Sequence, residues 1–397
     1  MKFVHTGDWH IGKVVNEISM LEDQQYILDR LIEFLESERP DALVIAGDLY
    51  DRSVPPARAV ELLDKYIEKI ILDLKIPILA IAGNHDSGER LGFMSSILRK
   101  QGFYIEGELK GEIDCVTLKD TYGDVDFYLI PYGDPAVVRE VYGDNTIRTH
   151  EDAMKKIVDE INSKRDMKRR AVAIAHGYIT NMGSNENLSR EEVIKESGLE
   201  ISESERPLSI GGTDIIPGKV FEGFNYVALG HLHGPQKVGS DKIRYSGSLL
   251  KYSFSEEHQN KTVTLVNINE KGDVEVELKN LKPLRDMRVI NGTLEELIKP
   301  EFYNKGNRDD YVFALLNDEG DLHEPMATLR AIYPNIMGLR KDSKKTLGHK
   351  NIELNVKERQ KSKIDLFKDF YENVTQREID EVSITLMTEF IEKREEE

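Results

Sequence analysis

Short apolar runs set the rhythm of the first part of the chain. They are Phe3-Val4-His5, Ala42–Ala46, Ile78–Ala82, Ala171–Ala175 and Tyr226–Leu229. Runs this short, rich in Val, Ile and Ala and bounded by turn residues, predict strands buried on both faces. Segments of helical period lie between several of them, notably Leu21–Glu38 and Ala57–Leu74. Strand, loop, helix, strand predicts an α/β fold with a mainly parallel sheet flanked by helices. Further strand-like segments follow at Ile243–Tyr245, Thr262–Ile268 and Val274–Leu278. The last two are joined by the turn Asn269-Glu-Lys-Gly-Asp273, and all three are expected to complete the second sheet of a β-sandwich.

Pro283 marks a boundary. Beyond it, Met287–Ile290, Tyr311–Leu316, a helix-like Met326–Tyr333 and Ile336–Leu339 predict a small α/β module. Residues 341–362 are polar and lysine-rich and read as a linker. In 363–397, Ile364, Phe367, Phe370, Tyr371 and Val374 fall at helical spacing, as do Ile379, Val382, Leu386 and Phe390. Thr375 and Glu378 form a capping box for the second of these helices. The predicted division is therefore 1–280, 281–340, 341–362 and 363–397. A tethered helical pair cannot bury its apolar stripe alone, so it folds back or docks on another chain.

Chemistry gathers where the strands end. The motifs are Asp8-Trp-His10, Gly47-Asp48, Gly83-Asn84-His85-Asp86, His176-Gly177 and Gly230-His231-Leu-His233. In open α/β sheets ligands bind beyond the carboxyl ends of the strands, so all five should converge on one edge. Two divalent cations that clamp an in-line displacement at phosphorus need oxygen and imidazole donors, including a carboxylate able to bridge both. Any one motif occurs often by accident; the five together form a specific pattern. His5, His150, His258, His323 and His349 match none of them and are expected to be packed or solvated. Trp9 is expected to pack.

This pattern resembles the calcineurin-like metallophosphoesterase superfamily: D-x-H, G-D, G-N-H-D/E, H and G-H-x-H. The run from Val227 to Gln236, Arg244-Tyr-Ser-Gly-Ser248 and Tyr252-Ser-Phe-Ser-Glu256 are similar to its bacterial DNA-repair nuclease branch. The likeness is dense to about residue 265 and looser after, where Pro283-Leu284-Arg285 is suggestive. It implies one metal ion on Asp8, His10, Asp48 and His233, and another on Asp48, Asn84, His176 and His231. Mixed N/O donors suit Mn²⁺, Fe²⁺ or Zn²⁺, and the resemblance favours Mn²⁺. His85 would contact the scissile phosphate, with Asp86 orienting it and keeping it protonated. Lys13, Asn16 and Arg52 lie on the motif loops as candidate substrate contacts.

The resemblance further implies a DNA nuclease subunit with 3′→5′ double-strand exonuclease and single-strand endonuclease activity. Residues 281–340 would be a cap that restricts access, and 363–397 would dock at the coiled-coil base of an ATPase subunit. A homodimer within a heterotetramer would form through surplus apolar positions of Ala57–Leu74 and a following helix with Leu91, Phe93, Met94, Ile97 and Leu98. The same motifs serve a stand-alone phosphoesterase acting on nucleotides or phosphoproteins. A non-catalytic scaffold has no reason to keep every donor.

Composition changes the picture in two places. The 397 residues carry a net charge of −18, which opposes DNA binding by this chain alone. Basic residues cluster at 338–363, at Lys164-Arg165 and at Lys168-Arg169-Arg170, as charge runs on solvated faces often do. No apolar run reaches the roughly 20 residues needed to span a bilayer, and no signal peptide is expected ahead of the first strand. The single cysteine, Cys115, fits a reducing cytoplasm, with a nucleoid-associated location implied; it is expected to be buried.

Overall fold

The computed structural model describes residues 1–182, 190–209 and 214–341, together with position 384. The linker and docking segment predicted for 341–362 and 363–397 lie outside the described residues, apart from positions 341 and 384; so does His349. The principal elements, in order, are β1 (Lys2–Thr6), α1 (Leu21–Glu38), β2 (Ala42–Ile45), α2 (Ala57–Glu68), β3 (Ile78–Ile81) and β4 (Phe103–Glu106). Then come β5 (Asp114–Asp120), β6 (Gly123–Leu129), α3 (His150–Lys164), β7 (Arg170–His176) and β8 (Tyr226–Gly230). Last are β9 (Gln236–Val238), β10 (Ser240–Tyr245), β11 (Thr262–Ile268), β12 (Val274–Asn280), β13 (Met287–Gly292), β14 (Tyr311–Leu316) and β15 (Ile336–Lys341).

Two six-stranded sheets form a sandwich, in the orders β12-β11-β1-β2-β3-β4 and β9-β10-β8-β7-β6-β5. Strands β1 to β4 run parallel, as do β6, β7, β8 and β10. Antiparallel strands close the edges, so the sheets are mixed rather than mainly parallel throughout. One expectation is corrected: β11 and β12 join the first sheet beside β1, and only β10 joins the second. The hairpin from β11 to β12 turns through Asn269–Asp273 as predicted, and it carries the pair to the β1 side.

Alternation along the strands explains the layers. Phe3, Val44, Leu79, Phe127, Val172 and Tyr226 meet between the sheets. Val4, Leu43, Ile45 and Ile78 face the other way, onto Ile27, Leu31 and Leu35 of α1 and Leu63 and Tyr66 of α2. Ala171, Ala173 and Val227 face Ile157 and Ile161 of α3. Both sheet faces are covered, which is why these strands read as continuous apolar runs. The predicted helix Ala57–Leu74 ends in a π-turn, Lys69–Asp73, after α2. The single helix expected over 91–98 is instead two turns, Gly88–Leu91 and Ser95–Leu98, broken at Met94 with φ 58°.

Strands β13, β14 and β15 form a separate parallel sheet. Ile290, Val312, Ala314 and Leu316 pack against Leu297, Leu329 and Tyr333 on one face. On the other, Phe313 meets Phe254 with ring centroids 5.3 Å apart. Tyr311 and Arg285 reach back to α1, where the Tyr311 hydroxyl (2.6 Å) and the Arg285 guanidinium (2.8 Å) both donate to Asp23. Cys115, expected to be buried, is exposed: it sits on the edge strand β5, whose outward positions alternate into solvent.

His5 is wedged between the sheets. Its Nδ1 pairs with the Tyr226 hydroxyl at 3.0 Å and its Nε2 with the Leu229 carbonyl at 3.1 Å. A neutral ring satisfies both, accepting at one nitrogen and donating at the other. Burial pushes the pKa down to about 3, against the pull of the Leu229 carbonyl. The unfolded chain therefore takes up this proton first, and the stability held above about pH 6.5 is lost as pH falls towards 3. His5→Gln should flatten that dependence by up to about 1.4 kcal/mol per pH unit between pH 6.5 and 4. Denaturant unfolding with the wild-type slope in the variant would count against this assignment.

Candidate metal centre

The strand ends bring the motifs together through unusual backbone. Asp8 (φ 52°), His10 (φ 45°), Asp48 (φ 52°) and His231 (φ 110°) all have positive φ, which non-glycine residues rarely adopt. Hydrogen bonds hold them there: Asp8 N–H donates to Gly47 O (3.0 Å) and His10 N–H to Asp48 O (2.9 Å). Trp9 is fully buried, its indole donating to Thr6 Oγ1 at 3.0 Å. It packs, as expected. Gly47 (φ 91°) and Gly230 let the ends of β2 and β8 approach: a Cβ would lie 2.4 Å from His176 Nδ1 at the first and 1.9 Å from Ala46 O at the second.

The seven predicted donors converge on one largely buried pocket, Asn84 being partly exposed, and Asp48 Oδ2 lies between two of the histidines. It lies 3.6 Å from His10 Nε2 and 3.5 Å from His176 Nε2. On one side His10 Nε2 and His233 Nε2 are 3.1 Å apart. That is close to the separation of two nitrogens sharing one ion at about 2.0–2.1 Å each. On the other, Asn84 Oδ1 is 2.9 Å from His176 Nε2 and 3.3 Å from His231 Nδ1. His176 donates its other nitrogen to the Ala46 carbonyl at 2.9 Å, which leaves Nε2 a lone pair for the pocket. Asp8 Oδ1 accepts from the His231 backbone (2.9 Å), while its Oδ2 is buried with no hydrogen-bond partner among the described residues.

Electrostatics point the same way. Burial, reinforced by the Asp48 charge, pushes the Asp8 carboxyl well above its usual range, and burial also raises Asp48. Burial lowers His176 to about 4; burial and the neighbouring His233 and His85 rings hold His10 well below the histidine range. Neutral imidazoles beside two carboxylates that resist joint ionisation make a pocket short of positive charge. An orphaned carboxylate oxygen within a set of N and O donors fits divalent cations. Compact triads occur at Asp8, Asp48 and His176, and at His10, Asp51 and His85, with ligand atoms in each within 4.8 Å of one another.

Asp86 does not orient His85, contrary to the sequence expectation. Its carboxylate accepts the backbone N–H groups of Leu49 (3.1 Å), Tyr50 (2.9 Å) and Gly83 (2.9 Å), tying two motif loops together. Three donors on one side chain leave it facing backbone rather than imidazole. Burial, then the Asp48 charge, raises its pKa to about 7. His85 is fixed instead by Asp51, whose carbonyl accepts from Nδ1 at 2.9 Å, and by its own N–H to Asp48 Oδ1 at 2.9 Å. Its ring stands edge-on to His10 with centroids 4.7 Å apart.

The three candidate substrate contacts divide. Lys13 pairs with Asp51 Oδ1 at 2.7 Å on the rim of the pocket. Arg52 is exposed, with Nε 3.6 Å from Asp51 Oδ2. Asn16 is exposed in the turn between Val14–Val15 and Ile18–Ser19, where it and Glu17 have positive φ. The Lys168–Arg170 cluster is largely structural: Arg169 pairs with Asp124 and Asp126, and Arg170 with Asp120. Of the unmatched histidines, His150 is packed, and His258 and His323 are exposed.

Sequence reasoning missed the supports. Gln24 donates to the carbonyls of His10 (2.8 Å) and Trp9 (3.4 Å) and accepts from Gly12 N–H (2.9 Å). Its signal was a polar residue on the apolar face of α1. Asp51, three residues after Asp48, was visible as a second acid in one motif loop. Ser204, Glu205 and Lys261 gather around His233 from distant, unpatterned segments, which no local motif announces.

The profile of calcineurin-like phosphoesterases matches residues 1–235, and that of the type 5 capsule protein repressor C-terminal domain matches 283–375. The SbcD chain of the SbcCD nuclease from Staphylococcus epidermidis is 35% identical over 382 residues, 96% of each chain. Two solved structures, one of a Thermus thermophilus protein and one of a dimetal phosphatase from Danio rerio, each cover 71% of this chain and 99% of their own. Both are 10% identical, with TM-scores of 0.38 and 0.36. No described helix is long and apolar enough to cross a membrane. The chain belongs to the calcineurin-like phosphoesterases and, within them, to the SbcD family of nuclease subunits.

Proposed function

We propose that this chain hydrolyses DNA phosphodiester bonds, as a 3′→5′ exonuclease on double strands and an endonuclease on single strands, within a complex with an SbcC-type ATPase. The observation that supports the reading is the convergence of the seven side chains, with His10 and His176 nearest Asp48 Oδ2 and His233, Asn84 and His231 beside those two rings. Asp8, His10, Asp48 and His233 would hold one divalent cation, and Asp48, Asn84, His176 and His231 the other, with Mn²⁺ favoured. The pair would polarise the phosphoryl group and make water nucleophilic at neutral pH.

The chain's own groups do the rest. His85, its Nδ1–H held by the Asp51 carbonyl, turns Nε2 to the departing oxygen and donates a proton to it when the ring carries protons on both nitrogens. Asp86 holds the Asp48 and Asn84 loops in register. Lys13, half-buried at the rim, Asn16 and Arg52 meet backbone phosphates. Residues 281–340 cap the approach to the pocket. Phe93 (68% exposed), Met94 (54%) and Ile97 (59%) form an apolar surface suited to a second copy of the chain. Sedimentation at one-chain mass would overturn the dimer. Residues 341–397 tether the ATPase in a cytoplasmic, nucleoid-associated complex. A chain lacking 363–397 that still co-purifies with the ATPase would remove that role.

The test of the activity is cleavage of linear duplex, hairpin and circular single-stranded DNA, with Mn²⁺ and with EDTA, alone and with the ATPase. Expected is Mn²⁺-dependent cleavage of duplex ends and single strands, with binding by the isolated chain weakening as salt rises. Hydrolysis of nucleotides or phosphoproteins with no DNA cleavage would favour the stand-alone phosphoesterase.

A further inference from the structure

The run Tyr252-Ser-Phe-Ser-Glu256 ends on a carboxylate that is fully buried behind His233. We propose that Glu256, clamped by Lys261 and joined by Ser204, is a positioning residue that fixes the ring and tautomer of His233, and so sets the affinity of the cation site on the His10–His233 side. The inference rests on the two-cation reading of the pocket.

A neutral imidazole has one N–H and one lone pair, and a ligand histidine must turn the lone pair to the metal. His233 Nδ1 faces two oxygens, Ser204 Oγ at 2.7 Å and Glu256 Oε1 at 3.3 Å. Ser204 in turn donates to Glu256 Oε1 at 2.5 Å, so its hydroxyl proton is committed and its lone pair faces the ring. Both oxygens therefore accept, Nδ1 carries the proton, and Nε2 is left open towards His10. A carboxylate in this place also raises the basicity of the coordinating nitrogen.

Glu256 is itself held firmly. Lys261, 7% exposed, places its three ammonium N–H groups among four acceptors, Glu256 Oε2 (2.6 Å), the His233 carbonyl (2.8 Å), Gln259 Oε1 (2.8 Å) and Ser248 Oγ (3.0 Å). One ammonium thus grips both the ligand's backbone and the carboxylate that orients the ligand's ring. Ser202 Oγ donates to the same Oε1 at 2.7 Å, and the Tyr252 N–H lies 3.3 Å from Oε2. The other side of the pocket is built differently, since His176 is oriented by a backbone carbonyl. Loss of Glu256 should therefore act on one cation site only.

The experiment is Mn²⁺ titration of the full chain by electron paramagnetic resonance, which counts free ion and yields two dissociation constants. Glu256→Gln keeps the shape but offers an amide N–H to Nδ1. It should weaken one site by about 10–100-fold and leave the other within about twofold. Ser204→Ala, at a half-buried loop position outside the ion pair, should weaken the same site less. With Co²⁺ in place of Mn²⁺, the absorption bands of the weakened site should shift while those of the other stay. Two wild-type constants in Glu256→Gln, or equal loss at both sites, would overturn the proposal. If Glu256→Gln does not fold, Ser204→Ala decides: selective weakening supports the role, and unchanged constants overturn it. A wild-type chain that binds no Mn²⁺ instead sinks the two-cation reading itself.

Discussion

Asp48→Asn is expected to abolish nuclease activity while making the metal-stripped chain more stable. Asp48 Oδ2 lies 3.6 Å from His10 Nε2 and 3.5 Å from His176 Nε2, between the two halves of the pocket. The substitution removes the charge that both cations would share. Losing several kcal/mol of charge stabilisation in the transition state corresponds to roughly 10³-fold or more in rate. Asparagine retains the oxygen that accepts His85 N–H, so the loops should keep their shape. In the empty pocket the Asp8 and Asp48 charges oppose each other, and one neutral amide relieves that repulsion. The unfolding midpoint in EDTA should rise by a few degrees, and Mn²⁺ should no longer raise it further. A midpoint that falls in EDTA, or a Mn²⁺-induced rise of wild-type size, would show that Asp48 is not the shared ligand.

His85→Ala should separate binding from chemistry. The ring reaches the pocket but is oriented by Asp51, and it need not supply a donor to either cation. Elemental analysis should return two ions per chain, and kcat should fall by about 10²–10⁴-fold, the range for losing a general acid or base. KM should move little, because phosphate binding falls to the cations and rim residues. Loss of an ion on this substitution would assign His85 to the ligands instead. Asp86→Asn should act differently, since it weakens acceptance of three backbone N–H groups; its effect should appear in the unfolding midpoint as well as in rate.

The candidate donors were legible because each stands at or just after the end of a buried strand, where a local apolar run and the chain's geometry agree. Convergence of strand ends accounts for Asp8, His10, Asp48, Asn84, His176, His231 and His233 lying together, while their division between two ions came from the family pattern. The partners of those residues were less legible. Asp86 beside His85 suggested a pair, but neighbours in sequence point to different places at a turn, and the carboxylate bonds to backbone across two loops. Glu256 and Lys261 lie close together in the chain, but they meet Ser204 and His233 only in three dimensions. The placement of β11 and β12 was misread for a related reason: strand pattern predicts strands, while the choice of sheet depends on which edge the connection reaches. Cys115 fell on an outward position of an edge strand, which alternation alone could not orient.

Asp23 and Gln24 are successive residues in the first turn of α1. Asp23 is bound by Tyr311 and Arg285 from the outlying sheet, and Gln24 holds the loop carrying His10. One stiff helical turn thus serves as a lever arm with a load at either end. The outlying sheet and the His10 loop therefore share one anchor, two adjacent residues of the same helical turn.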